Sequence, residues 1–153
     1  MKPKVEKSSV NSWDKLWSSF DEKKGYGYQL TLEEHRVRWQ RIQEMILNKY
    51  GTFSGLECIE IGAGSGGYSI LFSRSGARVT ILDYSEKALT LCKQIFEKQG
   101  ILSTQVNFLL MDALKIDEHL FGKFDISMSF GVAEHFHGDN RKSCKLLRKL
   151  RIN

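Results

Sequence analysis

The stretch Glu57 to Ile70, ECIEIGAGSGGYSI, constrains the fold of this chain more than any other. An apolar run from Cys58 to Ile61, with Leu56 before it, breaks into Gly62-Ala63-Gly64-Ser65-Gly66-Gly67. It then resumes as Tyr68-Ser69-Ile70-Leu71-Phe72. This order predicts a buried strand, a tight glycine turn and the start of a helix. Glycine admits the positive φ angles such a turn uses, and it puts no Cβ between the backbone and a ligand. The N–H groups of the helix's first turn would then face that ligand.

The flanking chain repeats the alternation. A helix is expected from Ser12, with Trp13, Trp17 and Phe20 on one face. The stripe reads first as packing and second as a lid over a ligand site. Residues 1–11 read as a disordered lead, and Asp21 to Gly27 as a polar break. Thr31 and Glu34 resemble a capping box opening a long helix, with Val37, Ile42, Met45, Ile46 and Tyr50 on its apolar side. His35 and Trp39 lie one turn apart on it, at the edge of a core or as one wall of a substrate site.

After the glycine turn, a helix runs to about Ser75 and is closed by Gly76. Ala77 to Leu82 reads as a second strand ending at Asp83, and Ser85 opens the next helix. Val106 to Leu110 is a third strand, followed by Met111-Asp112-Ala113. Phe124 to Phe130 is a fourth, followed by Gly131. A basic helix is expected from about Asn140. Strands alternating with helices make βαβ units, so the fold class is α/β with a parallel sheet and right-handed crossovers. Residues 1–50 are taken as an N-terminal lead with helices on the substrate side, and 51–153 as the core.

The 153 residues suffice for one domain with a core. No apolar stretch approaches the roughly 18–20 residues of a membrane span. The N-terminal lysines have no apolar segment behind them, which argues against a secretory signal. Cys58, Cys92 and Cys144 lie far apart, which argues against a disulfide framework or zinc site and fits a reducing, cytoplasmic setting. Net charge is +5, but residues 141–151 hold six of the 23 basic residues and no acid. The rest is close to neutral, which argues against a general nucleic-acid role.

Gly62, Gly64 and Gly67 fit GxGxxG, and Asp83 stands about 20 residues on at a strand end, as in dinucleotide-binding folds. On the glycines alone a nicotinamide enzyme stays open. Glu60 tilts the choice. A carboxylate inside an apolar strand is costly unless it meets a positive or hydrogen-bonding group. A ligand with ammonium and sulfonium centres suits it, whereas a pyrophosphate would be repelled. Asp112 ends the third strand, placed for an adenine amino group. Ser129-Phe130-Gly131-Val132-Ala133-Glu134-His135 leaves the fourth strand as a small-residue turn into a polar pair. All these groups fall at carboxyl ends of parallel strands, where such sheets bind ligands.

At these residues, over about 56–137, the sequence resembles the class I S-adenosylmethionine-dependent methyltransferases. The resemblance implies a Rossmann-like sheet in the order 3-2-1-4 and S-adenosyl-L-methionine as cofactor. It implies that Glu60, Gly62, Ala63, Gly64 and Gly66 wrap the methionine part of the cofactor. It makes Asp83 the ribose acid, Tyr84 its adenine neighbour, Asp112 and Ala113 adenine contacts, and Phe130 and Gly131 the strand-four contacts. Asp83 and Asp112 also fit as plain turn residues, and Asp125 as a structural one. His135 is the candidate catalytic base for a small-molecule acceptor. His135, His137 and Glu134 lack a further clear ligand, so no metal is expected.

The family fold has further strands after the fourth. The chain therefore reads as truncated, with strand four a bare parallel edge unless a partner or second copy covers it. The final basic segment reads as an ordinary helix with a wet face. The competing readings are an NAD(P)-dependent oxidoreductase and a cofactor-binding module without catalysis.

Overall fold

The computed structural model describes residues 10–18, 33–130, 132 and 140–152. Expectations for the lead before residue 10, for Phe20, the polar break and the Thr31 cap fall outside these residues. So do those for Gly131, Ala133, Glu134, His135 and His137.

The described elements are α1 (Val10–Ser18), α2 (Glu33–Tyr50), β1 (Glu57–Ile61), α3 (Gly67–Arg74), β2 (Arg78–Asp83), α4 (Glu86–Lys98), β3 (Val106–Leu110), β4 (Ile126–Met128) and α5 (Asn140–Leu150). Short 3-10 turns at Ala113–Lys115 and Glu118–Leu120 join β3 to β4. The strands form a parallel sheet in the order β3-β2-β1-β4, as the resemblance implied. The fold is Rossmann-like α/β.

The period-two alternation of a strand explains its two dry faces. Cys58 joins Ile46, Ile70, Phe72, Val79, Ile81, Phe96 and Met128 on the face covered by α2, α3 and α4. Ile59 and Ile61 point the other way, into a cluster with Leu82, Phe124 and Leu150. Trp39, Phe53 and Phe72 meet at ring-centroid distances of 5.4 to 5.8 Å and pin α2 to the first face. Tyr50 Oη also donates to the Asp125 carbonyl over 2.9 Å.

Register brings the chemistry to one end of the sheet. Ile61 stands opposite Leu82, Asp83 opposite Leu110, and Glu60 opposite Met128. The glycine turn, Asp83 and the residues after β3 and β4 therefore share the carboxyl edge.

Two features differ from expectation. β4 has three residues rather than the seven read from Phe124 to Phe130. And its outer edge does not start bare. Arg151 forms a parallel bridge to Phe124, and Ile152 N donates to the Phe124 carbonyl over 2.8 Å. Ser127 Oγ donates to the Leu147 carbonyl at 2.6 Å, which locks α5 onto that strand. Leu150 is buried, while Lys145, Arg148 and Lys149 are exposed, so α5 is a covering helix with a wet basic face.

Candidate functional site

The glycine turn has the backbone its composition predicts. Gly62, Gly64 and Gly66 have φ of 67°, 54° and 74°, the left-handed region that L side chains avoid. Each is also closely approached. A Cβ on Gly62 would stand 2.2 Å from Val132 Cγ2, one on Gly64 2.5 Å from the Trp17 ring, and one on Gly66 2.5 Å from Cys92 Sγ. Gly66 thus lets α4 pack on the root of α3.

Glu60 is 2% exposed beneath this turn. Ser69, in the first turn of α3, donates to its carboxylate from both Oγ and its backbone N–H. The acid therefore caps the helix whose first amides point the same way, where a negative charge is favoured. Burial pushes the Glu60 carboxyl up to about 7, the Ser69 bonds hold it back, and the charge of Asp83 adds to the rise. The sequence pointed to a cofactor as Glu60's partner; the described partner is Ser69. The signal was available, because a serine in the first helical turn after the glycines faces back toward β1.

Asp83 is 6% exposed at the end of β2. Its Oδ1 accepts from Ser85 N at 2.9 Å, and its Oδ2 from Gly64 N at 3.4 Å. Burial raises its pKa, the N–H groups of Ser85, Gly64 and Tyr84 lower it, and the charge of Asp14 raises it. Ser85 caps α4 by accepting from Ala88 N at 3.1 Å. Asp83 is thus both a turn residue and an acid held against the glycine turn.

Asp112 caps the first 3-10 turn, its Oδ1 accepting from Leu114 N at 2.9 Å. It lies near enough to Tyr84 for its charge to raise that phenol's pKa, behind burial and Asp83. Tyr84, Asp112 and Ala113 are half-buried along the same edge. Asp125 serves the sheet: its Oδ2 accepts from Glu57 N at 2.9 Å.

Phe130 stacks on Tyr68 with centroids 4.2 Å apart and planes at 30°. Tyr68 Oη lies 3.0 Å from His35 Nδ1, so α2 reaches the carboxyl edge through its histidine. Ser69, Ser85, Asp14 and Tyr68 carry no functional reading in the sequence, and Val132 enters only as part of the segment after the fourth strand. In the sequence Trp17 stands only as one member of an aromatic stripe.

A family model described as "Methyltransferase domain" matches residues 58–151, from β1 through the end of α5. The chain belongs to this family. The expected membership of the class I S-adenosylmethionine-dependent methyltransferases holds, and the sheet order agrees with it.

Solved structures share the fold. A Methanococcus maripaludis protein assigned to the S-adenosyl-L-methionine-dependent methyltransferases is 18% identical, with a TM-score of 0.64 over 99% of this chain and 63% of its own. Magnesium protoporphyrin IX methyltransferase of Synechocystis PCC 6803, with bound S-adenosylmethionine, is 19% identical, with a TM-score of 0.60 over 94% and 65%. An S-adenosylmethionine-dependent methyltransferase of Aquifex aeolicus is 20% identical, with a TM-score of 0.59 over 95% and 68%. At these identities the likeness is one of fold. The chain spans 63% to 68% of the length of these three structures. No curated protein matches the sequence.

Proposed function

We propose that this methyltransferase domain binds S-adenosyl-L-methionine and transfers its methyl group to a small-molecule acceptor. The observation that carries the reading is the joined pair of strand ends. A turn with positive φ and no Cβ at Gly62, Gly64 and Gly66 is held by its Gly64 N–H to the buried Asp83 carboxylate. Such a cradle suits a nucleoside whose ribose hydroxyls meet the acid while its tail lies on the glycines.

In this reading Asp83 holds the ribose diol, and Tyr84, Asp112 and Ala113 flank the adenine. Gly62, Ala63, Gly64 and Gly66, with Gly131 and Phe130, surround the methionine part. Glu60 acts through Ser69 by bracing the root of α3. The cofactor supplies an electrophilic methyl on a sulfonium whose leaving group is neutral, so the chain's task is alignment and exclusion of water. His135 takes a proton from the acceptor where one must leave. Residues 1–50 supply the substrate side of the site, and 51–153 the cofactor core. No helix among the described residues is long and apolar enough to cross a membrane. The buried free thiols of Cys58 and Cys92 accord with a cytoplasmic setting.

Calorimetric titration with S-adenosylhomocysteine and, separately, NAD tests the reading. The expected result is binding of the homocysteine nucleoside at about micromolar strength, weakened at least tenfold in Asp83→Asn, with NAD silent. Preference for NAD, or no binding by chain shown to be folded by circular dichroism, would overturn it.

A further inference from the structure

α1 lies across the edge just described. The Trp17 ring is in such close contact with Gly64 that a Cβ there would stand 2.5 Å from both Cη2 and Cζ2. One turn earlier, Asp14 Oδ1 accepts from Ser85 Oγ, two residues past Asp83. Trp13 hydrogen-bonds the Tyr84 side chain. A single short helix thus engages the glycine turn and the end of β2 together. Its contacts with the core run to α4, the helix that Ser85 caps.

A ring in van der Waals contact with Gly64 leaves no layer between them for another molecule. Yet a glycine at φ 54° with an open face is what a nucleoside cofactor would rest on. The two cannot hold that face together. We infer that α1 is an autoinhibitory strap, with Trp17 seated on the face of Gly64 that the cofactor uses, so that cofactor entry requires α1 to leave. The inference rests on the cofactor reading above.

The seat is built to be given up. At nine residues α1 is too short to hold a helix in water on its own. Its order therefore depends on docking. Docking also brings the Asp14 carboxylate close enough to Asp83 to raise that acid's pKa, a like-charge cost that undocking removes. Against these stand the Trp17 contact and the Asp14–Ser85 and Trp13–Tyr84 hydrogen bonds. A cofactor entering such a site pays a population tax equal to the undocked fraction.

The test uses the whole chain and S-adenosylhomocysteine. Calorimetry compares wild type with Trp17→Ala, and amide hydrogen exchange over residues 10–18 is followed in wild type with and without the nucleoside. The strap predicts tighter binding in Trp17→Ala, by about tenfold if nine-tenths of the wild type is docked. It also predicts faster exchange in α1 when the nucleoside saturates. Weaker or unchanged binding in Trp17→Ala, or slower exchange in α1, would overturn it in favour of a cover that closes over the ligand. The exchange readout needs no substitution, so a misfolded variant would not blunt the test. If neither protein binds while both are folded, the cofactor reading itself fails and the strap falls with it. If both bind equally, only the strap falls.

Discussion

The backbone N–H of Gly64, in the turn after β1, points at Oδ2 of Asp83, the last residue of β2, across 3.4 Å. This makes the glycine turn and the acid one unit. Asp83 also accepts from Ser85 N, so removing its carboxyl leaves buried donors unmet. Asp83→Ala should cost about 1–3 kcal/mol of stability for that reason. Asp83→Asn keeps one acceptor oxygen and should cost less. Denaturant titration of both variants checks the order, and equal stability of wild type and Asp83→Ala would contradict it.

Two glycines with similar φ separate strain from crowding. Gly66 (φ 74°) would place a Cβ 2.5 Å from Cys92 Sγ and 2.9 Å from Phe96 Cε2, while at Gly100 (φ 68°) nothing lies within 4 Å. Gly100→Ala should therefore cost only the left-handed strain, about 1–2 kcal/mol. Gly66→Ala should add overpacking, for about 2–5 kcal/mol in all. Chemical denaturation of the two variants side by side decides the point.

Glu60 sets a pH dependence with a definite sign. Its folded pKa, about 7, lies above that of an unfolded glutamate. The native state therefore keeps a proton that the unfolded chain has lost. Stability should fall as pH rises from about 4.3 to 7, by about 4 kcal/mol in all. Asp83, whose pKa is also raised, adds a slope of the same sign. Glu60→Gln keeps an acceptor for Ser69 and has nothing to ionise. It should melt near wild type at pH 5 and above it at pH 8. Parallel melting curves against pH would show that Glu60 does not titrate in this window.

The buried thiols should be inert. Burial, then the charges of Asp125 and Glu57, pushes Cys58 up to about 12, and burial, then Glu60 and Asp83, pushes Cys92 well above the ordinary thiol range. Thiolate is the reactive form. In a Cys144→Ser background, iodoacetamide at pH 8 should leave both unmodified in the native protein and alkylate both in denaturant, as mass spectrometry would read.

The parts of the fold visible in the sequence are the local ones. The run from Cys58 to Phe72 reads as strand, turn and helix because apolar period, glycine and helix root are adjacent in the chain. Asp83 was legible for the same reason, since an acid at the end of an apolar strand marks where the strand stops. What escaped depends on contacts between distant segments. Trp17 could be placed on a helix face, but not against Gly64, because nothing local sets where a short helix docks. The Phe124 to Arg151 bridge was invisible, because parallel pairing joins residues that share no pattern. Glu60 was recognised as needing a partner, and the nearest one, Ser69, was overlooked in favour of a ligand. His35 and Trp39 were read as alike, yet His35 meets Tyr68 while Trp39 packs on Phe53 and Phe72.

Amide chemical-shift mapping of the labelled chain with S-adenosylhomocysteine tests the cofactor cradle most directly. The predicted result is a set of shifts confined to Gly62 through Gly66, Asp83 through Ser85, Asp112, Ala113, Phe130 and Gly131, together with α1. Shifts scattered elsewhere with the glycine turn unmoved, or none at saturating nucleoside, would contradict it.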